Sequence, residues 1–289
     1  GEIDRVEIPS DVYYWFVVHP KLSDETVKAS EEASSEQATY GFFWREYLFS
    51  NPDPSHDYAG AGGRTFPVLG EVLRVPTVLW DGQAVDLEGG RPFEQDDVAL
   101  DVIGNWVSTV LPQRASGNRP VQPNQIAFEH NGNCGEIQDR LGAASRTALV
   151  PNVLTSDHCE YHVWNEFYTP LPTAGWFPYQ VDWAQGPTRI NRDNVAYDKD
   201  RGGSKDVSGI WAWRSDGFAY DVVDRYSKAC TLVVEVTDAA GKAVDGAQVV
   251  VYSEAWSGEG YSRATFAHTD SSGRCTFRLG DLQNYWLRI

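Results

Sequence analysis

The chain has 289 residues, 42% hydrophobic and 13% aromatic, enough to bury a sizeable core and too apolar for a disordered chain. Its 24 basic and 41 acidic side chains leave a net charge of −17, which repels phosphate backbones and argues against nucleic-acid partners. There is no apolar run of about 18 residues, so no membrane span is expected, and the four cysteines are too few for a disulfide scaffold.

At roughly 150 residues per domain, the length suggests two domains. The first residues, Gly1 to Val6, have no basic and apolar leader, so any signal peptide is expected to have been removed or never to have existed. An aromatic stretch, Val12 to Val18, is followed by Val27–Ala38, whose Ala/Glu content and acidic approach (Asp24, Glu25) predict a helix. The aromatic run 41–49 ends at Asn51-Pro52-Asp53-Pro54, because neither proline continues it. Residues 59–63 are glycine-rich with no following Lys-Ser/Thr, and read as a turn rather than a phosphate cradle. Val98 to Leu111 has Val102, Ile103, Trp106, Val107 and Val110 at helical spacing. Arg114 to Gln125 is rich in Pro, Asn and Gln and reads as a loop.

Gly132-Asn133-Cys134-Gly135-Glu136 opens a helical pattern in which Ile137, Leu141, Ala144 and Ala148 share a face. Asn133 suits an N-cap and Glu136 the reciprocal partner of a capping box. Cys134 then lies in the first turn, where the helix dipole and unpaired amides favour a thiolate and its own N–H is available to an oxyanion. The competing reading is a small apolar residue buried at a helix start.

A thiolate needs a base, and the base an orienting carboxylate. Cys159 to Tyr168 and Gly175 to Trp183 are aromatic and β-branched, with a turn between them, and read as neighbouring strands. His162 and Asp182 would then stand side by side. The run Gly132-Asn133-Cys134-Gly135-Glu136, then His162-Val163-Trp164-Asn165-Glu166-Phe167-Tyr168, then Trp176 leading to Asp182, resembles the transglutaminase-like cysteine superfamily. That superfamily includes transglutaminases, related bacterial proteases and peptide N-glycanases. The resemblance covers residues 125–183 and implies a papain-like α+β core with Cys134 as nucleophile, His162 as general base and Asp182 as orienter. It also implies an upstream oxyanion donor, for which Gln125 is the candidate and Gln122 the reserve. Trp164 and Trp176 are candidates for the cleft walls, against plain packing.

His158 shares strand parity with His162 but falls roughly 13 Å along an extended strand, a poorer base. Cys159 would point to the opposite face, which disfavours a Cys134–Cys159 bridge and a zinc site built from these residues. Asp198 to Gly203 resembles the start of a calcium loop, but Gly209 stands at the twelfth position, so no metal is expected there. Trp211 and Trp213 share a strand face, and read as packing before sugar stacking. No cofactor is expected.

From Thr231 the texture changes. Short β runs at 231–236, 247–252, 263–268, 274–279 and 285–289 are punctuated by Asp238-Ala239-Ala240-Gly241, Asp245-Gly246 and Asp270-Ser271-Ser272-Gly273, the pattern of a small antiparallel sandwich. Residues 230–289 resemble a carboxypeptidase-regulatory-like (prealbumin-like) module, which implies a positioning rather than a chemical role. The expected domains are 1–226, catalytic with a helical N-terminal part, and 227–289. Cys230 and Cys275 share the parity of core-facing residues on their strands; a disulfide between them is favoured over two buried free thiols, and would imply an oxidising, secreted or cell-surface location. The expected function is thiol-dependent acyl transfer on a peptide or protein substrate, with water favoured as acceptor over a lysine amine. The rival from another class is a non-catalytic binding protein on a papain-like scaffold, with a cell-surface or extracellular polymer as a further partner.

Overall fold

The computed structural model describes residues 7–23, 25, 43–50, 68–74, 76, 78–80, 98–110, 117, 120–129, 131–170, 174–181, 207–255, 258–281 and 283–289. Among them the fold is α+β, with helices first and sheets after. The expected helix at 27–38 and the carboxylate loop at 198–203 lie outside the described residues. Two compact units interleave along the chain: one takes residues 1–154, 164–192 and 213–218, the other 155–163, 193–212 and 219–289.

The first unit is built on helices. A short helix, α1 (Ser10–Tyr13), continues as one π turn (Tyr14–Val18), and α2 (Trp44–Ser50), α3 (Leu69–Val72), α4 (Ala99–Val110), α5 (Pro123–Glu129) and α6 (Cys134–Thr147) follow. The apolar stripe of α4 buries Val102, Ile103, Trp106 and Val107 against Tyr47 and Leu48 of α2, Ile126 of α5 and Leu141 of α6. The expected loop up to Gln125 instead gives way to α5. Pro123 opens that helix, where a missing N–H costs nothing, and the Ile126 amide bonds the Gln122 carbonyl at 2.9 Å.

Helix α6 ends in a tight turn in which Leu149 takes a left-handed φ of 63° and the Val150 amide reaches back to the Ser145 carbonyl at 2.8 Å. Arg146, fully buried, fixes this end. Its guanidinium donates to the carbonyls of Asn152 (2.8 and 3.0 Å) and Lys21 (2.9 Å) and to Ser215 Oγ (2.9 Å).

The strands are β1 (Asn152–Asp157), β2 (His162–Thr169), β3 (Gly175–Tyr179), β4 (Ile210–Trp213) and β5 (Ala219–Asp221), in the sheet order β3-β2-β1-β4-β5. The expected hairpin of β2 and β3 is present and antiparallel, with Thr169 opposite Gly175 and Asn165 opposite Tyr179. On β4, Ile210 and Ala212 are buried while Trp211 and Trp213 are half-buried.

In the second unit, β6 (Ala229–Glu235) pairs with β9 (Arg274–Gly280), and β7 (Gln248–Glu254) lies between β8 (Tyr261–His268) and β10 (Trp286–Arg288). The two sheets enclose Val234, Val249, Val251, Phe277 and Leu279, the sandwich core that alternation in the sequence predicts. The turns Gly241, Gly246 and Gly273 all take positive φ, and a Cβ at Gly273 would also meet the Val236 carbonyl at 2.6 Å.

The Cys230–Cys275 bridge does not form. Both thiols are free, and on the paired strands Cys275 lies opposite Val234, four residues from Cys230. Four residues of strand are about 13 Å, far beyond the Cα separation of about 7 Å that a disulfide spans. The parity argument holds, since both side chains pack against the sandwich core, but parity places residues on a face and says nothing of register. The expectation of an oxidising, secreted or cell-surface location loses the support that this bridge gave it.

Candidate active site

Cys134 is the first residue of α6 and half-buried. The helix starts there because Asn133 and Glu136 form the expected capping box. Asn133 Oδ1 accepts from the amides of Cys134 (2.7 Å) and Glu136, and Glu136 Oε2 accepts the Asn133 amide at 2.7 Å. Glu136 is buried in this role, as a cap. The Cys134 amide is therefore committed to the cap, which corrects the expectation that it is available to an oxyanion. Gly132 is required beside it: a Cβ there would overlap the Glu136 Cβ. Gly135 has open space beside its Cα, so the residue after the thiol leaves that side of the helix start uncrowded.

One turn further on, α6 is bonded to β2 and β1 through buried amides. Gln138 Nε2 donates to the Trp164 carbonyl. Asn165 Nδ2 donates to the Gln138 carbonyl (3.0 Å) and to Asn152 Oδ1 (2.8 Å). Gly142 permits this approach, because a Cβ there would meet Leu154 Cδ1 at 2.9 Å and Asn165 Nδ2 at 3.3 Å. Sequence reading missed this joint. Its only sequence signal is a polar Asn165 inside an aromatic strand, which does not reveal its partners.

His162 is the first residue of β2 and half-buried, two residues before Trp164 along the strand. It follows a turn, 158–161, in which Asp157 Oδ1 accepts the amides of Cys159 (2.9 Å) and Glu160 (3.2 Å), and Tyr161 takes a φ of 54°. The expected single strand from Cys159 to Tyr168 is thus shorter at its start. His158 is an exposed turn residue, not a strand residue sharing parity with His162. Cys159 is buried and free, with Sγ donating toward the carbonyls of Glu254 and Ser262, each at 3.3 Å. Burial and the adjacent Asp157 push its thiol up, away from nucleophile chemistry.

Cys134 belongs to the first unit and His162 to the second. Asp182 lies outside the described residues. Gln125 is half-buried on α5 rather than on a loop, with its amide bonded to Asn124 Oδ1 at 3.0 Å. Trp164 is 2% exposed and cannot wall a cleft; its β2 position turns it into packing. Trp176 is half-buried, edge-on to Phe16 (4.9 Å) and Tyr168 (5.6 Å). Among the described residues no group of three or more His, Cys, Asp or Glu could hold a metal, and no helix is long and apolar enough to cross a membrane.

No family model and no curated protein matches the chain. Among solved structures, it is similar to the crystal structure of red sea bream transglutaminase, with a TM-score of 0.32 and 8% identity over 62% of this chain and 48% of that one. The chain thus spans about half the length of that protein, and at this similarity no residue role passes from one to the other.

Proposed function

We propose that the chain is a thiol-dependent acyl-transfer enzyme that hydrolyses a peptide or side-chain carboxamide through Cys134, His162 and Asp182. One observation carries this reading. A half-buried cysteine opens a capped helix, and the next turn of that helix is bonded to the strand that begins with His162. A capped helix start, fixed through Gln138 to Trp164 and Asn165, suits a nucleophile that must be held in place.

In the proposed cycle His162 takes the Cys134 thiol proton and the sulfur attacks the substrate carbonyl carbon. The tetrahedral intermediate collapses to a thioester as the C–N bond breaks and His162 returns the proton to the departing amine. Water, deprotonated by His162, then attacks the thioester, and the thiol leaves with a proton from the imidazolium. Asp182 would hold the imidazole tautomer, and Gln125 is retained as the oxyanion donor because the Cys134 amide is committed to its cap. A lysine amine in place of water would give a crosslink by the same thioester. A secreted or cell-surface setting is part of the proposal.

The test is mass spectrometry of a peptide library after incubation, scoring cleavage, deamidation and crosslinks together. Cleavage or deamidation is expected, falling at least about a thousandfold in Cys134→Ala. His162→Ala should lose about a hundredfold or more, and His158→Ala little. Crosslinks alone would change the acceptor from water to amine. Full turnover in Cys134→Ala would end the assignment.

A further inference from the structure

The outer face of the three-stranded sheet in the second unit carries an aromatic and cationic surface outside the proposed catalytic residues. Opposed residues of an antiparallel pair share a face. Trp286, Tyr252 and Arg263 therefore form one row across β10, β7 and β8, and Arg288, Val250 and Phe266 form the next. The inward residues between them, Val249 and Val251, are fully buried in the sandwich core, so these rows point away from it. Tyr261 is 58% exposed and Phe266 48%, and the Tyr261 and Trp286 rings lie 3.8 Å apart, tilted by 42°, as one ledge at the end of the face. Arg263 stands 5.6 Å over the Phe266 ring. Core formation does not explain three large exposed rings on one small sheet.

We propose that this face binds an acidic polysaccharide, a chain of uronate-type sugars. The charge pattern selects that occupant. In a chain of net charge −17, the outward strand positions here carry two guanidinium groups and one carboxylate, Glu254. A cationic island on an acidic body accepts an anionic ligand at this face and repels it elsewhere. The guanidinium fork of Arg263 or Arg288 matches a carboxylate with two parallel N–H···O bonds. A pyranose offers the complementary surface: a C–H face that lies on an aromatic ring, edged by hydroxyl and carboxylate oxygens. An inserting membrane patch needs contiguous apolar surface, whereas here each row sets a guanidinium beside its rings.

Affinity electrophoresis of the full chain in native gels containing alginate, dextran or no polymer tests the proposal. Anionic phosphatidylserine vesicles serve as a separate binding arm. Alginate should retard the protein, dextran should not, and added salt should weaken the effect. The double variant Arg263→Gln/Arg288→Gln and, separately, Trp286→Ala should each bind alginate about tenfold more weakly or worse, with an unchanged near-ultraviolet dichroism spectrum. The arginines are exposed, so their variant decides the matter if Trp286→Ala fails to fold. No retardation by alginate at low salt, equal retardation by dextran, wild-type binding in the arginine variant, or capture by vesicles without alginate binding would each overturn it.

Discussion

Gly132 has no room for a methyl group, because Glu136 occupies the space while its carboxylate caps the Asn133 amide. Gly132→Ala should push Glu136 out, cost about 1 kcal/mol of stability and loosen the turn that holds Cys134. Urea unfolding together with the rate of Cys134 alkylation measures both; a variant unchanged in both would separate the cap from the thiol's placement. Asp221 makes a second residue-scale prediction. Burial raises its pKa to about 6, with Asp224 adding to the rise, while the Val223 amide and Arg278 oppose it. The folded carboxyl then holds its proton where the unfolded one, near 3.8, has lost it. Stability from this site therefore declines as pH rises from about 4 to 6 and stays low above. Asp221→Asn keeps the oxygen that accepts from Val223 at 3.2 Å and removes the charge. Its melting temperature should exceed wild type at pH 8, and the gap should close at pH 4. A gap independent of pH would mean that the charge is not the cause.

Among the elements, α6 was legible because a capping box and a 3.6-residue stripe occur together before it. The sandwich strands were legible because one face alone is buried, as in β7, where Val249, Val251 and Ser253 are buried and their neighbours are not. Strand β1 was not. All six of its residues are buried, so Asn152-Val153-Leu154-Thr155-Ser156-Asp157 has no alternation to mark it as a strand. Helix α5 was hidden by Pro, Asn and Gln, which signal loops unless the proline stands at the first helical position. The joint between α6, β1 and β2 was hidden for a different reason: Asn165 finds Gln138 and Asn152 through tertiary contact, not through spacing. Asn165→Leu should cost about 1–3 kcal/mol, because it leaves buried acceptors unpaired. Asn165→Asp should cost more, since it sets a carboxylate against two oxygens. Chemical denaturation of both variants gives the ranking, and an Asp variant as stable as wild type would show that the joint holds nothing together.

At the scale of the molecule, the second unit draws on three separate stretches of chain, and its internal bonds cross position 226. The Gly280 amide donates to the Ser208 carbonyl at 3.0 Å, and the Tyr285 hydroxyl meets the same carbonyl at 3.4 Å. The end of β9 approaches Val207 so closely that a Cβ on Gly280 would collide with its carbonyl oxygen. Arg278 on β9 is paired with Asp224, at 2.6 Å, and the Cys159 thiol fills the gap between the carbonyls of Glu254 and Ser262. The change of sequence texture at Thr231 marks where alternating strands begin, but contacts from residues 155–163 and 207–212 leave no such mark, because single buried groups carry them. A fragment of residues 227–289 keeps both sheets and loses these partners, exposing the ends of β7, β8 and β9. About 60 residues bury only a modest core, so the lost contacts weigh heavily. Amide hydrogen exchange read by mass spectrometry should therefore show peptides 229–235 and 274–280 less protected in the fragment than in the full chain. Extending the fragment to begin at 207 should restore part of that protection. Equal protection in all three would mean that the sandwich is complete from residue 227 and that the earlier segments merely lie against it.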